Sequence, residues 1–216
     1  MSERVKIPTS EQSAVLVLPS GEAKAPAVVV LQEYWGINDQ IIAAAERWAA
    51  AGFIAVVPDL YHGKLATTSE EANALMKGLD WGKAVGEISA AVDFVRSHPR
   101  STGKVAVSGY CMGGALAFAS AVNIRGLAAV APFYGLPGEL DWSKVDAPIQ
   151  AHFAKHDDWA TEAGAKKIQE AVKVPMELFV YDAGHAFCNE KRPEAYNAEA
   201  CSQAWNRTLE FVRKHV

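Results

Sequence analysis

Lys104-Val105-Ala106-Val107-Ser108-Gly109-Tyr110-Cys111-Met112-Gly113-Gly114 joins a β-branched run to a Gly-x-Cys-x-Gly turn, and small and apolar residues follow at helical length from Ala115 to Ala121. This is the layout of a strand, a sharp turn and a helix that presents a nucleophile at the turn, with cysteine where the G-x-S-x-G pattern carries serine. The glycines have a physical reason. Side chains two residues before or after a nucleophile in so tight a turn would collide with neighbouring backbone, and glycine lets the turn close and exposes the sulfur. With 16 glycines and 3 cysteines in 216 residues, chance flanking of any one cysteine at both positions has a probability of about 0.016. A free cysteine is ordinarily a small buried hydrophobe. The strand before Cys111 and the helix after it favour a nucleophile instead.

The elements outward from this turn alternate. Ser13 to Pro19 reads as an N-terminal strand antiparallel to the rest, and Ala27 to Gln32 as a continuous apolar run of the kind found in buried parallel strands. Asn38 is placed to cap a helix over Asp39 to Ala51, which Gly52 closes. Strands follow at Phe53 to Val57, Gly126 to Phe133, Ala147 to Phe153 and Met176 to Tyr181. Helices are expected over 68–77, 82–97, 162–172 and 194–214, the last with Trp205, Leu209 and Val212 on its buried stripe. This alternation predicts an α/β fold over residues 1–216 as a single domain, with a mostly parallel central sheet and helices on both faces.

Composition narrows the partners. The net charge of −4 comes without a basic block, so nucleic acid and anionic membranes are not expected partners. The N-terminus shows no apolar signal region and no apolar run reaches membrane-spanning length. Three cysteines without framework spacing suit free thiols in a reducing compartment, so a cytoplasmic location is expected. The oligomeric state is left open, a monomer included.

Functional residues of open α/β sheets gather at the carboxyl ends of the strands. Those ends carry Glu33, Asp59, Asp157 with Asp158, and His185. A thiol needs a base, an imidazole needs an orienting carboxylate, and an acyl oxyanion needs N–H donors. Cys111, Asp157 and His185 follow one another in the order nucleophile, acid, histidine, and Asp59 in Pro58-Asp59-Leu60 suits a turn-stabilising role. Glu33 stands directly after a buried strand. Facing Cys111, its carboxylate would disfavour the thiolate and keep the thiol protonated at rest. The backbone N–H groups of Tyr34 and Met112 are then the expected oxyanion donors.

Together these residues resemble the dienelactone hydrolase family of the α/β-hydrolase fold, across nearly the whole chain. The motifs are Gln32-Glu33-x-x-Gly36 with Asn38, Pro58-Asp59-Leu60-Tyr61, Gly109-Tyr110-Cys111-Met112-Gly113-Gly114, Asp157 and Gly184-His185-x-Phe187. The resemblance implies Cys111 as nucleophile, His185 as base, Asp157 as its orienter, and Glu33 as the acid that restrains and then helps activate the thiol. It implies hydrolysis of a small ester or lactone through an acyl-thioester, with no metal and no organic cofactor. The chain departs from the family's lactonases in the substrate pocket. Where those place an arginine four residues after the histidine, this chain has Asn189, and the segment 61–81 has no arginine. Lysine or asparagine does not replace a bidentate arginine. Trp35, Tyr134 and Asn189 are the expected substrate contacts. The aromatics Tyr34, Trp35, Tyr61, Trp81 and Tyr134 point to an apolar or aromatic acyl or alcohol group.

Two other classes compete with a hydrolase. One is a thiol redox or sensor protein in which Cys111 cycles with Cys188 or Cys201. The other is a metal site that includes His185 and Cys188, a weak pattern because a structural zinc site needs four ligands.

Overall fold

A computed structural model describes residues 2–8, 10 and 12–216. Among the described residues, eight strands form one sheet: β1 (Ser2–Lys6), β2 (Ser13–Val17), β3 (Ala25–Leu31), β4 (Ile54–Pro58), β5 (Ser101–Tyr110), β6 (Ala129–Phe133), β7 (Ile149–His156) and β8 (Met176–Gly184). Their order is β1-β2-β4-β3-β5-β6-β7-β8. β1 and β2 are antiparallel to each other, β2 is antiparallel to β4, and β3 to β8 are mutually parallel.

The central parallel strands β3, β4 and β6 are buried on both faces, which explains their unbroken apolar runs, while the edge strand β8 is largely half-buried. In β3, Ala27, Val29 and Leu31 enter one core layer while Val28 and Val30 enter the other, as the two-residue period of a strand requires. The helices are α1 (Asp39–Ala50), α2 (Ser69–Lys77), α3 (Trp81–Arg96), α4 (Met112–Asn123), α5 (Glu162–Ala171) and α6 (Ala198–His215). Residues of α1 and α6 fill one layer; those of α3, α4 and α5 fill the other. The sheet therefore has helices on both faces.

Local chemistry sets the helix boundaries. Asn38 Oδ1 accepts from Ile41 N at 3.2 Å at the start of α1, and Thr68 and Glu71 close a capping box on α2. The last helix starts at Ala198 where Asn197 caps it, later than the expected 194, because 185–197 is a run of turns that ends on this cap. Its fully buried residues are Ala204, Thr208 and Val212, with Trp205 and Leu209 half-buried at the flank. β1 had no expectation from the sequence. Its residues are mostly exposed, so it lacks the alternation that marks a half-buried strand.

The cysteines correct one expectation. Cys188, in the turns after β8, is disulfide-bonded to Cys201 in α6, and Cys111 alone is free. The pair is thirteen positions apart in sequence, and the turn run after β8 folds back to bring the sulfurs together. Spacing alone does not reveal such a return.

Candidate active site

The turn at Cys111 sits at the centre of the sheet. β5 ends at Tyr110, Cys111 takes φ +55°, and α4 begins at Met112. A positive φ at a non-glycine residue costs energy and persists only where surrounding contacts hold it. Here Cys111 N donates to Phe133 O at 3.0 Å, while Gly114 N and Ala115 N donate to Cys111 O at 2.9 and 3.1 Å. A side chain at Gly109 would overlap the Gly113 carbonyl, and one at Gly113 would overlap the carbonyls of Leu31 and Gln32. The glycines serve the close approach that the sequence motif predicts.

The thiol is buried, at 4 % exposure. Burial pushes its pKa up and the Glu33 carboxylate adds to the shift, while the backbone N–H groups of Met112 and Tyr34 act on the sulfur in the opposite sense. The two expected oxyanion donors thus lie beside the sulfur. Burial and Glu33 together favour the neutral thiol.

Cys111, Glu33, Tyr34 and His185 line one cavity of about 250 Å³. Asn73 and Met76 of α2, Trp159, Ala186 and Arg192 complete its wall. His185 stands just past β8, and its Nδ1 lies 2.6 Å from Asp157 Oδ2. Asp157 Oδ1 accepts from Trp159 N and Ala160 N, both at 2.9 Å, so the carboxylate is fixed at both oxygens. Burial pushes Asp157 up, but the His185 hydrogen bond and the two amides outweigh it and hold its pKa below the ordinary value. Asp158 is exposed. The rings of Tyr134 and Trp159 meet the imidazole edge-on, with centroids at 5.3 and 5.2 Å.

Glu33 is buried at 3 % exposure. Its Oε2 accepts from Asn189 Nδ2 at 2.6 Å and its Oε1 from Tyr134 Oη at 3.4 Å. Burial nonetheless pushes its pKa up, against the lowering effects of Asn189, His185, Arg192 and Tyr134. As a carboxylate beside the thiol, Glu33 is placed to accept the thiol's proton once substrate changes the local field, and the burial that favours its protonated form assists that transfer.

The structure therefore brings Cys111, His185, Asp157, Glu33 and the Tyr34 and Met112 amides together. The three expected substrate contacts are not among the residues that line this cavity: Tyr134 and Asn189 are buried and donate to Glu33, while Trp35 packs edge-on to Tyr34. The reason is tertiary: the turn after His185 directs Asn189 inward to the carboxylate, where it is 1 % exposed. Asn73, Met76 and Trp159 were not anticipated. Trp159 follows Asp157 by two residues and is 53 % exposed, a signal readable only once the loop's direction is known.

The neighbouring groups have structural roles. Asp59 accepts from Tyr61 N and Gly63 N, as a turn aspartate does. His152 is fully buried among Tyr181, Gln150 and Thr208, and burial lowers its pKa to about 3. His156 pairs with Asp182 on the surface. Cys188, bonded to Cys201, is neither a resolving thiol for Cys111 nor a thiolate partner for His185.

The chain is similar to proteins of one family. The profile of the dienelactone hydrolase family matches residues 13–216. Protein usf of Aquifex pyrophilus is 33 % identical over 205 residues, covering 88 % of this chain and 89 % of that protein. Carboxymethylenebutenolidase 1 of Cupriavidus pinatubonensis is 33 % identical over 202 residues, covering 87 % of this chain and 86 % of that enzyme. Among solved structures, a putative dienelactone hydrolase from Klebsiella pneumoniae superposes with a TM-score of 0.89 at 21 % identity, covering 99 % and 98 % of the two chains. The structural likeness establishes a shared α/β-hydrolase fold.

Proposed function

The chain belongs to the dienelactone hydrolase family, and from that premise we propose that it is a carboxylic ester hydrolase that cleaves a small ester or lactone with Cys111 as nucleophile. The observation that carries this reading is the convergence on one cavity of a free cysteine at a strained turn, an imidazole held at 2.6 Å by a buried carboxylate, and two backbone amides beside the sulfur. These are the parts that acyl transfer needs.

The substrate carbonyl enters beside Cys111, with its oxygen toward Tyr34 N and Met112 N. Its arrival takes the place of solvent, and the thiol proton passes by way of the Glu33 carboxylate to His185, leaving the imidazole protonated and Glu33 a carboxylate again. The thiolate adds to the carbonyl carbon, and the two amides stabilise the oxyanion. The tetrahedral adduct collapses, its C–O bond breaks, and protonated His185 supplies the proton that leaves with the alcohol. An acyl-thioester on Cys111 remains. His185, kept in the right tautomer by Asp157, then removes a proton from water; hydroxide adds, the thiolate departs and is reprotonated, and the carboxylic acid is released. Burial of Cys111 and the charge of Glu33 keep the thiol neutral between turnovers, which protects it from oxidation.

The test is a panel of an activated aryl ester, a neutral lactone and a dienelactone, each given to the wild type and to Cys111→Ala. Turnover of at least one member by the wild type, and its loss in Cys111→Ala with an unchanged melting curve, is the expected outcome. Equal rates in the two proteins would rule out the cysteine.

A further inference from the structure

A second cavity of about 640 Å³ lies beside the one that holds Cys111, and Met76 and Trp159 line both. Met112, whose backbone N–H faces the sulfur, also lines the larger cavity, so this space adjoins the reacting sulfur on its Met112 side. Its walls are apolar: Trp81 and Val85 on α3, Ala115 and Ala119 on α4, and Leu136 and Leu140 after β6. Lys77 and Glu139, the charged lining residues, are exposed at its rim and opposite in sign. The volume falls in the ~300–1,000 Å³ range of small-molecule sites. Among the described residues, the large apolar side chains left exposed are Leu65, Trp81 and Trp159, and the two tryptophans belong to this cavity. Exposed aromatic surface that lines a concavity marks a binding site.

We propose that this cavity is the subsite for a large uncharged alkyl or aryl group of the substrate, so the preferred substrate class is apolar esters. The proposal rests on the reading of Cys111 as nucleophile and extends it to substrate choice. The partition between the cavities is made of side chains that can yield. Met76 is a flexible thioether and Trp159 stands 53 % exposed. Inside the rim formed by Lys77 and Glu139 the walls carry no charged side chain, and each methylene moved from water onto them raises kcat/KM by up to about fourfold.

The experiment measures kcat/KM for 4-nitrophenyl acetate, butyrate and octanoate, and for the acetates of ethanol, 1-butanol and 1-octanol. The first series places the apolar group on the acyl side, the second on the alcohol side. In the wild type, one series is expected to rise at least tenfold from its shortest to its longest member. Ala119→Phe, which fills the cavity, lowers that long-to-short ratio at least fivefold, and so does Trp81→Ala, an exposed change that spares the core. A flat or falling ratio in both series, or a ratio that neither variant alters, overturns the proposal while leaving the hydrolase intact. If no ester is turned over, and the neutral lactone and dienelactone are not either, the hydrolase reading fails, and the cavity is tested by tryptophan fluorescence during titration with 1-octanol. A saturable change that Ala119→Phe removes supports an apolar subsite, and its absence overturns one.

Discussion

At Asp157 the structure separates two adjacent carboxylates that differ in everything but chemistry. Asp157 is buried, accepts two backbone amides and meets the His185 imidazole, while Asp158 is exposed. Asp157→Asn should lower kcat by up to about 10⁴ through loss of the imidazole's orientation, and Asp158→Asn by less than about threefold. Steady-state rates on one aryl ester decide it, and the reverse ranking would give the orienting role to the wrong residue. Asn189 poses a different question. It donates to Glu33 at 2.6 Å and holds a carboxylate that burial pushes toward its neutral form. Its sequence position suggested a substrate contact, because spacing from a histidine says how far a residue lies along the chain and not which way its side chain turns.

Among the elements, the β5–Cys111–α4 turn depends on close backbone approach. Gly113→Ala should place a methyl against the Leu31 and Gln32 carbonyls, costing more than about 2 kcal/mol and most of the activity. Chemical denaturation with a parallel assay checks both; a stable, active variant would show that the turn tolerates a side chain. The segment 185–197 carries His185, Asn189 and Arg192 and is tied to α6 by Cys188 and Cys201. Titration of the unfolded protein should find one thiol before reduction and three after it, and three at the outset would mean that the tie is absent. The parallel strands and most helices were legible in the sequence because continuous apolar runs, i, i+4 stripes and caps are local signals. So were Cys111, Glu33, Asp157 and His185 as candidates, since each closes or follows a strand. The exposed strand β1, the disulfide and the wall residues Met76 and Trp159 were not, because each depends on how distant segments meet.

For the whole molecule, acid and base behaviour follows from the two buried carboxyls of the cavity. Asp157 is held below its ordinary 3.8, so its contribution to stability is present above that pH and is lost as pH falls through the lower folded value. Glu33 has the opposite sign. Its pKa is raised from 4.5, so its contribution is full below that pH and is lost as pH rises through the folded value. Glu33→Gln should therefore raise Tm at pH 8, raise it less at pH 4, and cut turnover at least tenfold, a trade of activity for stability. Melting curves at the two pH values check the sign, and an equal change at both would remove Glu33 from the linkage. The proposed mechanism requires a covalent bond to one sulfur. The most direct test is rapid mixing with an activated aryl ester, quenching in acid within the first turnover, and intact-mass analysis with peptide mapping. The account predicts one acyl group per chain, located on Cys111, absent from Cys111→Ala and lost at the rate of turnover. Full turnover with no adduct at Cys111, or an adduct on another residue that Cys111→Ala retains, would contradict it.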